Sequence, residues 1–278
     1  MDETEAKTLA KLFANKFIVR PYIRAIQSAE GEYRPQRNPE TGMSLGKFDM
    51  EALLDHLYGR HTYGHYMVNP DGDKVKFFAL DIDLEKTGKL PSTKFGEEYI
   101  GWEDVNPREF WMSRRPGPGR DIIKLQLKMM ANKLARIIHD ELEIPTAVAY
   151  SGSKGVHVYG FTGSTTAAFA REAARITLTA ANWELFRGNN FYRYKAEGVL
   201  AKDNIMNMNQ YSLEVYPKQD SLDGKDLGNL IRLPLGVNLK SPKDKPFFLD
   251  MRTALSSFSP MSPIEALTTT DMWRYPGE

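Results

Sequence analysis

Apolar residues recur along this chain at two spacings, and the switches between them mark out its elements. Leu9, Leu12 and Phe13 fall at helical intervals and predict a short amphipathic helix over residues 3–15. Phe17 to Ile26 is aromatic and β-branched, as a strand requires, with Pro21 confining it to an edge or a bend. Glu30 to Lys47, carrying Gly31, Pro35, Pro39 and Gly42, predicts a loop. Asp49 stands where it would cap a helix bearing Leu53, Leu54 and Leu57. His61 to Val68, the turn Pro70-Asp71-Gly72-Asp73 and the strand that follows predict a hairpin.

Residues 86–119 have a loop composition. The clearest helix comes next, with Ile123, Leu127, Met130, Leu134, Ile137 and Ile138 on one face and Lys124, Lys128, Lys133 and Arg136 mostly off it. Pro145 closes it. Ala147 to Tyr150 and Val156 to Phe161 predict strands around a glycine-rich turn, and Thr165 to Leu185 an alanine-rich helix. Residues 187–209 are polar, and strands recur at 211–216, 229–235 and 246–250. Helices and strands interleave throughout, so the class is α/β or α+β.

One predicted strand breaks its own pattern. Phe77-Phe78-Ala79-Leu80 runs straight into Asp81-Ile82-Asp83. Residues i and i+2 of a strand share a face, roughly 6.5–7 Å apart. Asp81 and Asp83 therefore stand side by side while Leu80, Ile82 and Leu84 turn to the core. Two such acids repel each other unless a cation lies between them, and the hard ions Mg²⁺ and Mn²⁺ suit oxygen donors. A solvated turn after an edge strand is the plainer alternative.

Composition narrows the chemistry. The 278 residues suffice for one large α/β domain or two lobes sharing a core. The absence of cysteine excludes disulfides, thiolate catalysis and cysteine zinc sites, and agrees with a cytosolic protein. No run approaches the roughly 20 apolar residues of a membrane span, and Met1-Asp2-Glu3-Thr4-Glu5 is too acidic for a signal peptide. The five histidines show no metal-ligand spacing, and a net charge of +1 gives no global field for nucleic acid.

Three later stretches carry polar groups on apolar strands. Ser151-Gly152-Ser153-Lys154-Gly155 is a tight connection whose glycines let backbone N–H groups approach an anion, with hydroxyls and an ammonium beside them. His157, between Val156 and Val158, faces away from both and toward the acids, which suits a phosphate better than a metal. The spacing is not that of a Walker A loop. Glu214, between Leu213 and Val215, projects from an apolar strand and needs a cation. Asp220, past Pro217, competes with it for that role. Arg232, between Ile231 and Leu233, either pairs with Glu214 or aims at phosphate oxygens. Lys240, Lys243 and Lys245 follow in what is either a binding groove or an ordinary solvated loop.

In this order the motifs resemble the archaeo-eukaryotic primase superfamily, which includes primase-polymerases and the polymerase domain of bacterial end-joining ligases. Phe78 to Asp83, Gly155-Val156-His157 and Leu213-Glu214 match its three motifs. Ser151 to Tyr159 is similar to the end-joining version. The stretch from Leu213 to Asp220, with Gly228 to Leu235 and Tyr63 to Tyr66, looks closer to phage and conflict-system primase domains. The resemblance implies a two-lobed fold: an N-terminal α/β lobe, a C-terminal RRM-like sheet, and the site between them. It implies two divalent metals, Mg²⁺ or Mn²⁺, on Asp81, Asp83 and Glu214, and a triphosphate on Ser151, Lys154 and His157 with Arg232 assisting. Glutamate where many members carry aspartate keeps Asp220 in play.

The expected activity is primer synthesis or extension on a single-stranded DNA template from NTPs or dNTPs, in the cytoplasm of a prokaryotic or phage-infected cell, with a helicase as partner or fused module. Arg114, Arg115, Arg193 and Lys240, together with Arg187 and Lys195, are the candidates for template contact. The expected organisation is an N-terminal portion at 1–60, a catalytic core at 61–255, and a tail or further module at 256–278. A metal-dependent nuclease would also use clustered acids but has less need of the anion cradle. A non-catalytic nucleic-acid-binding module would need neither aspartate.

Overall fold

The computed structural model describes residues 2–38, 40–43, 46–84, 93–95, 98–100, 118–195, 211–225, 227–239, 245–255 and 257–269. Helix α1 spans Glu3–Phe17 and is capped by Asp2, whose carboxylate accepts from the Glu5 amide at 2.8 Å. It buries Leu9, Ala10, Phe13 and Phe17. Helix α2, Met50–Leu57, is capped by Asp49, which accepts from the Ala52 amide at 2.9 Å. Helix α3, Pro118–Arg136, runs into a π turn at Ile137–Glu141. Helix α4 covers Ala167–Ala180 and α5 covers Pro263–Thr268. None of these is long and apolar enough to cross a membrane.

The strands are β1 (Ala25–Gln27), β2 (Tyr33–Pro35), β3 (Tyr63–Tyr66), β4 (Lys74–Val75), β5 (Phe78–Leu84), β6 (Thr93–Phe95) and β7 (Glu98–Ile100). They continue with β8 (Thr146–Tyr150), β9 (Gly155–Gly160), β10 (Thr165–Thr166), β11 (Trp183–Arg187), β12 (Phe191–Tyr194), β13 (Tyr211–Tyr216), β14 (Leu230–Arg232) and β15 (Phe247–Phe248). Seven of them form one antiparallel sheet in the order β11-β12-β13-β5-β9-β8-β15, and a second, four-stranded sheet runs β14-β3-β1-β2. The class is α+β.

Period-2 patterning gives the large sheet two unlike faces. Leu80, Ile82, Leu84, Val156, Val158, Leu213 and Val215 are buried on one of them. Helix α3 covers this face beside Tyr211, whose hydroxyl donates to Gln126 Oε1 at 3.0 Å, and α4 covers it beside Val215 and Tyr192. The other face carries Asp81, Asp83, His157 and Glu214. At one end Phe17 packs edge-on against Phe77, Tyr159 and Phe161, joining α1 to the sheet.

Several local expectations change. The strand predicted at Phe17–Ile26 gives way to the end of α1 and the short β1, and the loop predicted at Glu30–Lys47 contains β2. The hairpin across Pro70–Asp73 does not form as a ladder into β5. Residues 63–66 join β1 and β14 in the small sheet, and only an Asn69–Lys74 bridge and the short β4 lie near the turn. The alanine-rich helix stops at Ala180, because Asn182 takes a left-handed φ of 66° and Trp183 opens β11. The polar connection contains β12, whose Tyr194 packs edge-on against Trp183 at 5.7 Å. In the last three cases long-range pairing outweighs local propensity.

Candidate active site

Register across the large sheet assembles the acids. Glu214 pairs with Asp81, Asp81 with His157, and His157 with Ala149, so one straight row crosses β13, β5, β9 and β8 on a single face. The row continues outward through Phe191 on β12 and Arg187 on β11. A second row, one step along, places Arg193, Ser212, Asp83 and Gly155 in line.

Each acid has a basic side chain against it. His157 Nε2 lies 3.1 Å from Asp81 Oδ1, Lys154 Nζ lies 2.8 Å from Asp83 Oδ2, and Lys218 Nζ contacts Glu214 Oε1. Lys154 also donates to the Leu84 carbonyl at 2.8 Å. The second oxygen of Glu214 accepts the Tyr216 hydroxyl at 2.8 Å. His157 Nδ1 is 2.9 Å from the Tyr159 hydroxyl.

The two aspartates part in acidity. Burial pushes Asp81 up, but the charge and hydrogen bond of His157, helped by Arg232 and Lys154, overturn this and hold it below the usual carboxylate range. Burial and the neighbouring Asp81 charge push Asp83 above that range despite Lys154. Burial, then the charges of Asp81 and Glu214, push the Tyr216 phenol far up, and burial does the same to Tyr159. Both tyrosines therefore remain hydroxyl donors.

Beside the acids lies the Ser151–Gly155 turn. Gly152 supplies a φ of 71°, in the left-handed region, and Gly155 is a site of close approach: a Cβ there would collide with the Ile82 carbonyl and the Asp83 carboxylate. Tyr150 donates to the Ser153 carbonyl at 2.9 Å and steadies the turn. Arg232 arrives from β14 of the small sheet and donates through Nη2 to the Ser151 carbonyl at 2.6 Å. Its Nη1 and the Ser151 hydroxyl are buried donors without a hydrogen-bond partner. Such groups are costly unless an acceptor meets them, and an anion would meet both.

The structure thus brings Asp81, Asp83, Glu214, Ser151, Lys154, His157 and Arg232 to one place. Glu214 pairs with Lys218 and not with Arg232. Asp220 is turned elsewhere: it takes Arg171 Nε of α4 at 2.7 Å and lines a cavity of about 340 Å³ with Val215, Tyr192 and Leu185. Of the two competing acids, Glu214 shares the face of the aspartates. Among the described residues no three carboxylates or histidines converge as a finished metal cage. The donor set still fits a hard cation, being all oxygen on one face, with side-chain cations neutralising it.

Arg193 lies on this face and stacks its guanidinium 3.6 Å from the centre of the exposed Phe186 ring, while Arg187 stacks at 4.6 Å over Phe191. Arg114, Arg115 and Lys240 fall outside the described residues. Sequence reasoning passed over Tyr159, Tyr216 and Lys218. The tyrosines were detectable, since each stands two residues beyond an assigned strand residue and so on its face. Lys218 lies past the strand end, where no periodicity places it.

Comparison with known proteins adds three findings. The model of the archaeo-eukaryotic primase domain of TOTE conflict systems matches residues 38–272. No curated protein matches the chain. Among solved structures, the polymerase domain of Mycobacterium tuberculosis Ligase D, in complex with DNA, is similar at 11% identity and a TM-score of 0.42, over 95% of this chain and 85% of that one.

Proposed function

The chain belongs to the archaeo-eukaryotic primase family of TOTE conflict systems, and from that premise we propose that it is a DNA-templated nucleotidyl transferase that makes primers, extends them, or both. The observation that carries this is the in-register row Glu214–Asp81–His157 lying against a turn with two orphaned donors, Ser151 Oγ and Arg232 Nη1. Acids for metal and donors for phosphate adjoin on one face, as transfer of a nucleotidyl group requires and simple strand binding does not.

In this proposal Asp81, Asp83 and Glu214 hold divalent cations, Mg²⁺ or Mn²⁺. Bound there, these would make a 3′-hydroxyl more acidic and offset the charge of the departing pyrophosphate. Ser151, Lys154, His157 and Arg232 hold the triphosphate of an NTP or dNTP, His157 being oriented by Tyr159. Arg187 and Arg193, stacked on Phe191 and Phe186, offer single-stranded template both charge and planar surfaces.

The test is incubation with unprimed single-stranded DNA, labelled ribo- or deoxynucleotides, and Mg²⁺ or Mn²⁺. Short products made de novo identify a primase, and extension confined to a primed template identifies a polymerase. Release of mononucleotides without added triphosphates would replace the proposal with a nuclease. DNA binding with no metal-dependent nucleotide affinity would replace it with a binding module.

A further inference from the structure

We infer that Lys218 is a transferable cation. It neutralises Glu214 in the metal-free protein and, once a divalent cation takes that carboxylate, holds a backbone phosphate of the bound nucleic-acid strand. This rests on the reading of Asp81, Asp83 and Glu214 as metal ligands.

Three observations converge on it. Glu214 is contacted by Lys218 on one oxygen and by the Tyr216 hydroxyl on the other, so a divalent cation arriving at that carboxylate meets an ammonium already against it. The arrangement repeats what the other two acids do with His157 and Lys154, whose second proposed task is phosphate binding. Finally, Lys218 meets the row at Glu214 on β13, with β5 between that strand and the β9 into which the Ser151–Gly155 turn leads. Its ammonium is 4.7 Å from the Tyr216 ring centre and 5.8 Å from that of Phe191, the ring on which Arg187 stacks.

That position separates the roles of the cations. His157 and Lys154 flank the turn where a triphosphate would lie, whereas Lys218 faces the basic–aromatic strip of β11 and β12. An ammonium beside a newly arrived dication is repelled and must find another anion. Lysine suits the exchange, being a point charge on a flexible stem and not a fixed fork. The side chain is 27% exposed, so solvent reaches it. Reciprocity then requires metal and strand to strengthen each other's binding through this residue.

The experiment compares wild type with Lys218→Met and Lys218→Arg, after thermal melts establish that each folds. Mn²⁺ binding is read by electron paramagnetic resonance without nucleic acid. Oligothymidylate binding is read by fluorescence anisotropy with and without Mn²⁺, and triphosphate binding at saturating Mn²⁺. Lys218→Met should tighten Mn²⁺ about fivefold and erase the gain in strand affinity that Mn²⁺ gives the wild type. Triphosphate affinity should not change, and Lys218→Arg should keep the strand affinity.

Unchanged or weaker Mn²⁺ binding in Lys218→Met would make Lys218 a fixed partner of Glu214 and overturn the inference. So would survival of the metal-induced gain, or a fall in triphosphate affinity with strand affinity intact. Failure of the underlying reading looks different: the wild type itself would bind no Mn²⁺, or would bind it equally well as Asp81→Asn.

Discussion

Asp81 and His157 face each other across the β5–β9 ladder, in register, with 3.1 Å between Nε2 and Oδ1. Asp83, two residues on, has Gly155 opposite it and takes its cation from Lys154. Two acids on one strand thus meet different partners, and their acidities move in opposite directions.

Opposite stability effects follow from that contrast. Folding favours the charged form of Asp81 and disfavours that of Asp83, so Asp81→Asn should destabilise the protein and Asp83→Asn stabilise it at pH 7. Both should lower nucleotide incorporation on the order of 100-fold or more. Denaturant melts and single-turnover extension measure the two effects separately. Equal shifts of the same sign would refute the contrast.

Arg232 reaches from one sheet to the turn of the other. Arg232→Lys keeps the charge but loses the fork that spans the Ser151 carbonyl and the free Nη1 donor. Triphosphate affinity should fall about tenfold, by loss of one charge-assisted hydrogen bond, with DNA affinity unchanged. Calorimetric titration with a non-reacting triphosphate gives the answer.

Gly155→Ala drives a methyl group into the Ile82 backbone and the Asp83 carboxylate. Backbone cannot yield as a flexible side chain does, so β5 and β9 must part at the site. The cost should be about 1–3 kcal/mol in unfolding free energy. Activity should be lost even where the variant stays folded. A fully active Gly155→Ala would show that the close approach is unnecessary.

Acid should loosen the link between α2, the small sheet and α1. His56 is enclosed, donates Nε2 to the Pro234 carbonyl at 2.9 Å and accepts the Tyr63 amide at 3.2 Å. His65 accepts the Val19 amide at 3.2 Å. Burial above all lowers their pKa values, to about 4 for His56 and about 3 for His65. A depressed folded-state pKa means folding selects the neutral ring. The associated stability is complete above about pH 6.5 and is lost as pH falls toward the folded values. Unfolding free energy should drop by several kcal/mol, roughly 3 for His56 alone, between pH 7 and pH 4. Imidazole proton resonances that titrate near pH 6.5 in the folded protein would contradict this.

Lys128 supports the cradle from behind. Fully buried on α3, its ammonium shares its three N–H donors among the carbonyls of Asp250, Thr253, Ala254 and Ser257 and the Thr253 hydroxyl, which lie at 2.8–3.2 Å. That segment leads to Phe258, which packs on Tyr150, the residue that fixes the Ser153 carbonyl. Lys128→Met should cost about 3 kcal/mol, since it leaves buried carbonyls unmet. Hydrogen exchange should then show faster amides at 250–257.

Much of this protein was legible in its residue order. The cap Asp49 is a local hydrogen-bonding device, and the helical faces of α1 and α3 are local periodicities. The alternation that turns Asp81, Asp83, His157 and Glu214 away from the core is likewise a property of single strands, because a strand fixes the face of each side chain by itself. Motif order then sufficed to suggest the family. What a strand cannot fix is its neighbour. Only the tertiary structure set β13 beside β5, so that Glu214 met Asp81, turned Asp220 to Arg171, and carried β14 into a separate sheet from which Arg232 reaches the turn. Residues 63–66 were misplaced for the same reason: a nearby turn suggested one partner, and pairing with residues distant in sequence supplied another. Periodicity determines which way a side chain points, and long-range pairing, which no local pattern encodes, determines what it meets there.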